Sequence, residues 1–94
     1  TTLFRSGANS VISQKCYLCT GSHDFMSAHF DITASPIVIG DKCWLATDVF
    51  VAPGVRIGDG TVVGARSSVF KTLPANAICR GNPAVVTRER VKTE

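Results

Sequence analysis

The chain has 94 residues, of which 45% are hydrophobic and 18% are charged. This balance indicates one ordered domain and excludes a disordered tail. The net charge of +3 would suit a nucleic acid and a phosphorylated small ligand equally well. Because no nucleic-acid-binding motif accompanies this charge, we expect no nucleic-acid partner.

The sequence also disfavours membrane insertion, secretion and metal binding. No stretch approaches the roughly 20 apolar residues that a spanning helix needs, and residues 1–5 lack a signal-peptide pattern. Cys16 and Cys19 are the only close cysteine pair, and neither histidine lies at zinc-finger spacing. We therefore expect a cytoplasmic protein with small buried thiols and no metal site.

The first predicted element is a short series of six-residue repeats over residues 6–23. Its aliphatic or small positions are Ser6, Ile12 and Leu18. A period of six fits neither an α-helix, with its period of 3.6, nor the simple alternation of a hairpin. It fits a triangular coil in which each side is a short strand, each corner is a tight turn, and successive coils stack as parallel strands.

Residues 24–38 interrupt this repeat. Leu18 and Ile39 are 39 − 18 = 21 positions apart, which is not a multiple of six, and the segment between them has no six-residue rhythm. We expect a protruding loop here, with His29 as a surface residue. The loop has three large apolar side chains, Phe25, Met26 and Phe30. They are expected either to cover a neighbouring subunit's groove or to pack within the loop.

The second block, residues 39–74, carries the strongest periodic signal. Aliphatic residues recur at every sixth position, and these are Ile39, Leu45, Val51, Ile57, Val63 and Val69. The next residue is usually glycine or alanine, which we expect to let the backbone turn. The fourth residue after each aliphatic position is small or β-branched, except for Leu73. Nine repeat units in the two blocks predict three coils of three strands.

The C-terminal segment, residues 75–94, begins where Pro74 breaks the pattern, because proline cannot donate to a strand ladder. We expect a last strand over residues 78–84 with a turn at Gly81-Asn82-Pro83. The polar remainder from Val85 is expected to form a short helix or a frayed tail. Residues 1–94 would then be a single all-β domain.

Three motifs and the tandem repeats resemble the hexapeptide-repeat O-acetyltransferases. The motifs are Gly21-Ser22-His23-Asp24, Val38-Ile39-Gly40-Asp41-Lys42-Cys43-Trp44 and Gly81-Asn82-Pro83-Ala84. The chain is most similar to the colanic acid biosynthesis type, near the maltose, galactoside and nodulation acetyltransferases, over roughly residues 6–88. This resemblance implies a single-stranded left-handed parallel β-helix with one protruding loop, an exception to the usual right-handed crossover.

The resemblance also implies an acyltransferase that moves an acetyl group from acetyl-CoA to a hydroxyl of a sugar or saccharide. It implies a homotrimer with active sites between neighbouring subunits. A histidine at the position of His23 would be the general base for direct attack of the acceptor hydroxyl on the thioester. Histidine as a residue type suits this role because its ordinary pKa lies near working pH. The plainer alternative is that His23 is an exposed polar residue ending a coil.

Further positions match the acetyl-CoA site of these enzymes. The backbone N–H groups of Ala46 and Thr47 would line the thioester region, and Trp44 would be a pocket wall or a subunit contact. Positions that match contacts to the pantetheine arm or the nucleotide are Ala65, Phe70, Lys71 and Arg88. The two cationic side chains in this group are either phosphate ligands or solvated charges.

The sequence departs from the family pattern at three points. Ala46 and Arg66 stand where glycine is usual, and Val85 stands where a basic residue is common. The family also has further N-terminal coils that contribute to the acceptor pocket, and this sequence begins after them. A non-catalytic trimeric β-helix that binds a ligand or serves as a scaffold is therefore the alternative. The γ-type carbonic anhydrases share the fold but need three zinc histidines, and this chain has 2.

Overall fold

The computed structural model describes residues 4–23, 25–29 and 32–91 of the chain, and for His23 and Ile32 it describes the backbone alone. Within these ranges every regular element is a β-strand, and no helix is long and apolar enough to cross a membrane. The strands are β1 (Phe4–Ser6), β2 (Val11–Ile12), β3 (Tyr17–Leu18), β4 (Gly21–His23), β5 (Ile32–Ala34), β6 (Ile37–Ile39), β7 (Trp44–Leu45), β8 (Phe50–Val51), β9 (Arg56–Ile57), β10 (Val62–Val63), β11 (Ser68–Val69), β12 (Ala77–Gly81) and β13 (Ala84–Glu89).

Three parallel sheets form the three sides of a prism. Face A consists of β1, β6 and β9, face B of β2, β7, β10 and β12, and face C of β3, β8 and β11. The register places Ile39 beside Ile57 and Leu45 beside Val63, so equivalent repeat positions stack on each other. This is the arrangement of three coils that the six-residue period predicts. We call the turns between the faces corner AB, corner BC and corner CA.

The interior of the prism is filled by the two inward positions of each repeat. In the second block the aliphatic residues Ile39 to Val69 at six-residue spacing are all 2% exposed or less. The position four residues later is also buried, at Cys43, Val49, Val55, Thr61, Ser67 and Leu73. Ile12 and Leu18 in the first coil are only half-buried, and they pack against this core from one side. The predicted core positions of the second block are therefore confirmed, whereas Ser6 in the first block is exposed.

Small polar side chains at the inner side of corner AB tie successive coils together. Ser10 Oγ donates to a carbonyl of the second coil at 2.6 Å, and Cys43 Sγ donates to one of the third coil at 3.1 Å. The Thr61 hydroxyl donates to the carbonyl of Pro74. Since each polar atom has a backbone partner, serine, cysteine and threonine are tolerated in an otherwise apolar column. All four cysteines are free thiols, and burial raises the pKa of the Cys79 thiol.

The small residue after each aliphatic position has a different role from the one predicted. The left-handed conformation lies two positions further along, with φ between 56° and 76° at Asn9, Lys15, Lys42, Asp48, Gly54, Gly60 and Arg66. The small residue is instead required by the close approach of stacked corners. A Cβ on Gly58 would lie 2.5 Å from the backbone nitrogen of Ala75 and 2.7 Å from its Cα. The glycine therefore sets the coil spacing rather than the turn.

Gly58→Ala should consequently lower the free energy of unfolding by about 1–3 kcal/mol, the usual cost of forcing an extra carbon into a packed site. Gly21→Ala is the matched control, because its added Cβ would come no closer than 3.6 Å to Thr33 O. Urea unfolding at one fixed protein concentration should show a lower midpoint for Gly58→Ala alone. Equal midpoints for the two variants would contradict the stacking role.

The segment 24–38 contains more strand than its loop interpretation predicts. β4 and β5 pair antiparallel with Ser22 opposite Thr33, so the loop is the tip of a hairpin that projects from corner CA. Residues 37 and 38 already belong to β6 of face A. The start of that strand was not predicted, because the six-residue repeat of the second block is counted from the inward Ile39. The three-residue arms of the hairpin are too short to leave a periodic signal.

The prediction of a helix or frayed tail from Val85 was wrong, because Ala84–Glu89 is β13, which pairs antiparallel with β12. β12 would otherwise leave an open edge, and the β-branched run from Val85 to Thr87 suits a strand. Beyond β13, Arg90 Nη1 donates to the carbonyls of Lys42 and Gly60 at 3.0 and 2.9 Å, which fixes the end of the hairpin to corner AB.

Candidate functional site

Face B carries an exposed apolar row that includes the single tryptophan. Val11, Trp44 and Val62 are in register on β2, β7 and β10. Trp44 points outward, as its place in the repeat predicts, and it is 50% exposed. Its Nε1–H donates to Ser13 Oγ at 3.1 Å, which fixes the ring against the first coil. The indole therefore offers a held, accessible wall to a ligand or to another subunit.

Corner BC, next to this row, has backbone donors that the protein does not use. The Ala46 N–H donates to Val63 O at 3.0 Å and is part of the strand ladder. The N–H groups of Thr47 and Ala65 have no acceptor within the described parts of the chain. Thr47 and Ala65 occupy equivalent places in successive coils, so these groups are about 4.8 Å apart. They are available to a carbonyl oxygen of a ligand.

Corner AB satisfies two equivalent donors internally, whereas the Asp59 N–H has no acceptor within the described ranges. Asp41 Oδ1 accepts from the Ala8 N–H at 2.8 Å, and Asp59 Oδ1 accepts from the Asp41 N–H at 2.8 Å. The glycine that precedes each of these positions leaves room for the carboxylate of the next coil. Because unsatisfied backbone donors are unusual at a packed corner, the contrast marks corner BC rather than corner AB as a candidate binding site.

Corner BC also contains Arg66, where the family resemblance implies glycine. Arg66 adopts a φ of 62°, the conformation for which glycine is normally preferred. Its Nε lies 3.9 Å from Asp48 Oδ2, and both side chains are exposed. An exposed pair of this kind contributes little to stability.

His23 lies at corner CA rather than at corner BC. It ends β4, with its backbone opposite that of Ile32 in the hairpin, and its side chain and all of Asp24 lie outside the described residues. Phe70 and Lys71 are at the same corner in the third coil, and both are exposed. Face C separates these residues from Thr47 and Ala65.

The tip of the hairpin presents a solvent-exposed surface. His29 is exposed, and its N–H donates to Ser27 Oγ at 3.3 Å. Phe25 and Met26 are 76% and 81% exposed, and Phe30 lies outside the described residues. The described tip residues thus have apolar side chains available for contact with another molecule.

Arg88 lies on β13, in register with Ile78 of face B. Arg88, Ile78, Arg80 and Thr87 line one open depression on the outer side of the C-terminal hairpin. Arg80 was not predicted as a site residue, although its place two residues after Ile78 in a strand puts both side chains on the same face.

A single copy of the chain does not bring the predicted site residues together. Trp44, Thr47 and Ala65 lie at face B and corner BC, whereas His23 and Lys71 lie at corner CA. Three open depressions on face A and corner AB are lined by other residues, including Arg5, Val38 and Arg56. No group of three or more histidine, cysteine or acidic side chains is placed to hold a metal ion within the described chain.

Comparison with known proteins agrees with the repeat architecture. Residues 36–71 match the bacterial transferase hexapeptide (six repeats) family. The chain is 83% identical over 88 residues to the putative colanic acid biosynthesis acetyltransferase WcaF of Escherichia coli (strain K12), covering 94% of this chain and 48% of that protein. It is 39% identical over 86 residues to the galactoside O-acetyltransferase of the same organism, covering 88% and 42%.

Solved structures show the same backbone. A maltose O-acetyltransferase from Clostridium difficile 630 superposes with a TM-score of 0.88 at 31% identity, over 95% of this chain and 49% of that one. A galactoside acetyltransferase in complex with coenzyme A gives 0.86 at 33% identity, over 92% and 44%. Stacked hexapeptide coils of this kind define the left-handed parallel β-helix transferases. The chain is therefore similar to hexapeptide-repeat acetyltransferases over most of its own length, and it spans about half the length of the curated relatives it matches.

Proposed function

We propose that this protein is an O-acetyltransferase that moves an acetyl group from acetyl-CoA to a hydroxyl of a sugar or saccharide. The observation that supports this most directly is the pair of free N–H groups of Thr47 and Ala65 beside the exposed face of Trp44. Such donors stabilise the negative charge that develops on a thioester oxygen during acyl transfer. The galactoside acetyltransferase of the same fold holds coenzyme A.

In the proposed reaction, His23 accepts the proton of the acceptor hydroxyl while the hydroxyl oxygen attacks the thioester carbonyl carbon. The N–H of Thr47 or of Ala65 donates to the carbonyl oxygen as its negative charge grows. The carbon–sulfur bond then breaks, and the proton held by His23 passes to the departing thiolate. The products are the acetyl ester and CoA, and His23 returns to its starting state.

We further propose a homotrimer in which face C is turned toward the threefold axis. Face C and the adjoining Phe70 of corner CA carry an aromatic row, with ring centroids 5.9 Å apart for Tyr17 and Phe50 and 5.8 Å apart for Phe50 and Phe70. Tyr17 and Phe70 are 63% and 52% exposed in the single chain, and burying such a surface favours association. Corner BC of one copy would then meet corner CA of the next, which places His23 near the neighbour's free N–H groups.

The other predicted site residues fit the cleft between copies. Trp44 would form its wall on face B, and the exposed Lys71 and Arg88 would supply cations for the phosphates of the donor. Phe70 would contact the donor or the neighbouring copy. A cytoplasmic location belongs to the same proposal, because acetyl-CoA is a cytoplasmic metabolite.

Titration calorimetry with CoA tests the donor site. We expect the chain to bind CoA at low ionic strength and to lose affinity as salt rises, because contacts between exposed cations and phosphates are screened. A screen of sugars for acceptor-dependent release of CoA then tests the reaction.

The two steps separate the proposed enzyme from its alternative. Failure to bind CoA at low salt would contradict the donor site. Binding of CoA without turnover of any hydroxyl acceptor would favour the alternative, a ligand-binding or scaffold protein. This alternative is considered because the chain matches only about half of each relative.

A further inference from the structure

The C-terminal hairpin presents two arginines to one depression without any acidic partner. Arg80 on β12 and Arg88 on β13 both line this depression and are both exposed. Within the described ranges neither side chain forms an ion pair, whereas the exposed Arg66 lies 3.9 Å from Asp48. Two like charges on one small surface repel each other, so binding of an anion there is electrostatically favourable.

The strand register places Arg80 directly opposite Val85. Opposed residues of an antiparallel pair project from the same face, with Cβ atoms about 4.5–5.5 Å apart. The family resemblance implies a basic side chain at the position of Val85. The guanidinium of Arg80 can reach the space beside Val85 from the neighbouring strand.

Corner BC connects this depression to the free N–H groups. The inward residues of β7, β10 and β12 stack in register, and they are Leu45, Val63 and Cys79. The residue that follows each of them therefore lies in one column along corner BC. This column consists of Ala46, Gly64 and Arg80. A Cβ on Gly64 would lie only 3.2 Å from Arg80 Cβ, so the absence of a side chain at Gly64 leaves room for Arg80 in the column. From Ala46 to Arg80 the column spans two coil steps, roughly 10 Å along the prism axis.

We propose that Arg80 is a phosphate-binding residue that acts together with Arg88 on the nucleotide end of the CoA donor. This inference rests on the proposed function. A thioester held at the N–H groups of Thr47 and Ala65 extends along the column toward the C-terminal hairpin, where its phosphates meet both arginines. The planar guanidinium of Arg80 donates two parallel hydrogen bonds to one phosphate, which a lysine ammonium does with less geometric specificity.

The test compares CoA with dephospho-CoA by titration calorimetry on the full chain and on three variants. Arg80→Ala should weaken CoA binding about tenfold, the lower end expected for loss of a hydrogen bond to a charged group. Arg80→Lys should recover part of that loss. Arg5→Ala is the matched control, because Arg5 is an exposed arginine on β1 of face A, at the opposite end of the stack, and should leave both affinities unchanged.

The outcomes separate this inference from the proposed function. A loss for CoA that is absent for dephospho-CoA supports contact with the 3′-phosphate, and an equal loss for both ligands at an unchanged unfolding midpoint supports contact with the diphosphate. Wild-type affinities in Arg80→Ala would overturn the role of Arg80 while leaving the proposed function intact. An equal loss accompanied by a lower unfolding midpoint would also overturn it. A wild-type chain that binds neither ligand would overturn the proposed function itself.

Discussion

His23→Ala is expected to reduce turnover by about 10²–10⁴-fold, the usual contribution of a general base. The affinity for CoA should change little, because the proposed donor contacts lie at corner BC and on the C-terminal hairpin. The unfolding midpoint should also remain close to that of the wild type, since His23 ends a short hairpin strand whose other residues, Gly21 and Ser22, are exposed. The effect should therefore appear in turnover alone.

Acceptor-dependent release of CoA measures this effect at saturating donor. His29→Ala is the control, because His29 is an exposed histidine at the tip of the same hairpin and should retain nearly full activity. Retained turnover in His23→Ala would exclude His23 as the base. A large loss in His29→Ala with an active His23→Ala would assign the proton transfer to the hairpin tip.

The buried positions of this fold could be predicted from the sequence because every coil repeats the same packing requirement. An aliphatic residue such as Ile39 or Val51 points into the prism in each repeat, and a single register error would expose it. Six repeats in one phase therefore determine the core, the parallel pairing and the outward direction of Trp44. The period alone was sufficient for these features.

Features that depend on contacts between coils or with a sheet edge could not be predicted in this way. The role of Gly58 depends on its distance from Ala75 in the next coil, a relation that the local sequence does not display. β13 forms because β12 offers an edge, and the polar composition of the segment after Val85 suggested otherwise.

The backbone N–H groups of the proposed donor site could be predicted only in part from the sequence. The resemblance assigned the N–H groups of Ala46 and Thr47 to the thioester, but the ladder occupies the Ala46 N–H and leaves those of Thr47 and Ala65 free. The stacking of coils determines which backbone N–H groups lack an acceptor. The pairing of β12 with β13 determines the position of Arg80 opposite Val85. Neither relation is visible along the chain.

Phe50→Asp is expected to convert the proposed trimer into monomers and to abolish measurable turnover. Phe50 is half-buried at the centre of the aromatic row on face C, between Tyr17 and Phe70. A threefold axis in front of this face would bring three introduced carboxylates together within an apolar contact. Desolvation of each charge costs several kcal/mol, and their mutual repulsion adds to that cost. Without the neighbouring copy, His23 would lack the N–H groups of corner BC.

Light scattering coupled to size-exclusion chromatography at micromolar concentration measures the assembly, and circular dichroism checks that the variant keeps its β-structure. Val86→Asp is the matched control, because Val86 is 49% exposed on the C-terminal hairpin rather than on face C, and this variant should remain trimeric. A monomeric wild type would contradict both the trimer and a site shared between copies. A trimeric, active Phe50→Asp would contradict the inward orientation of face C and, with it, the meeting of corner CA of one copy with corner BC of the next.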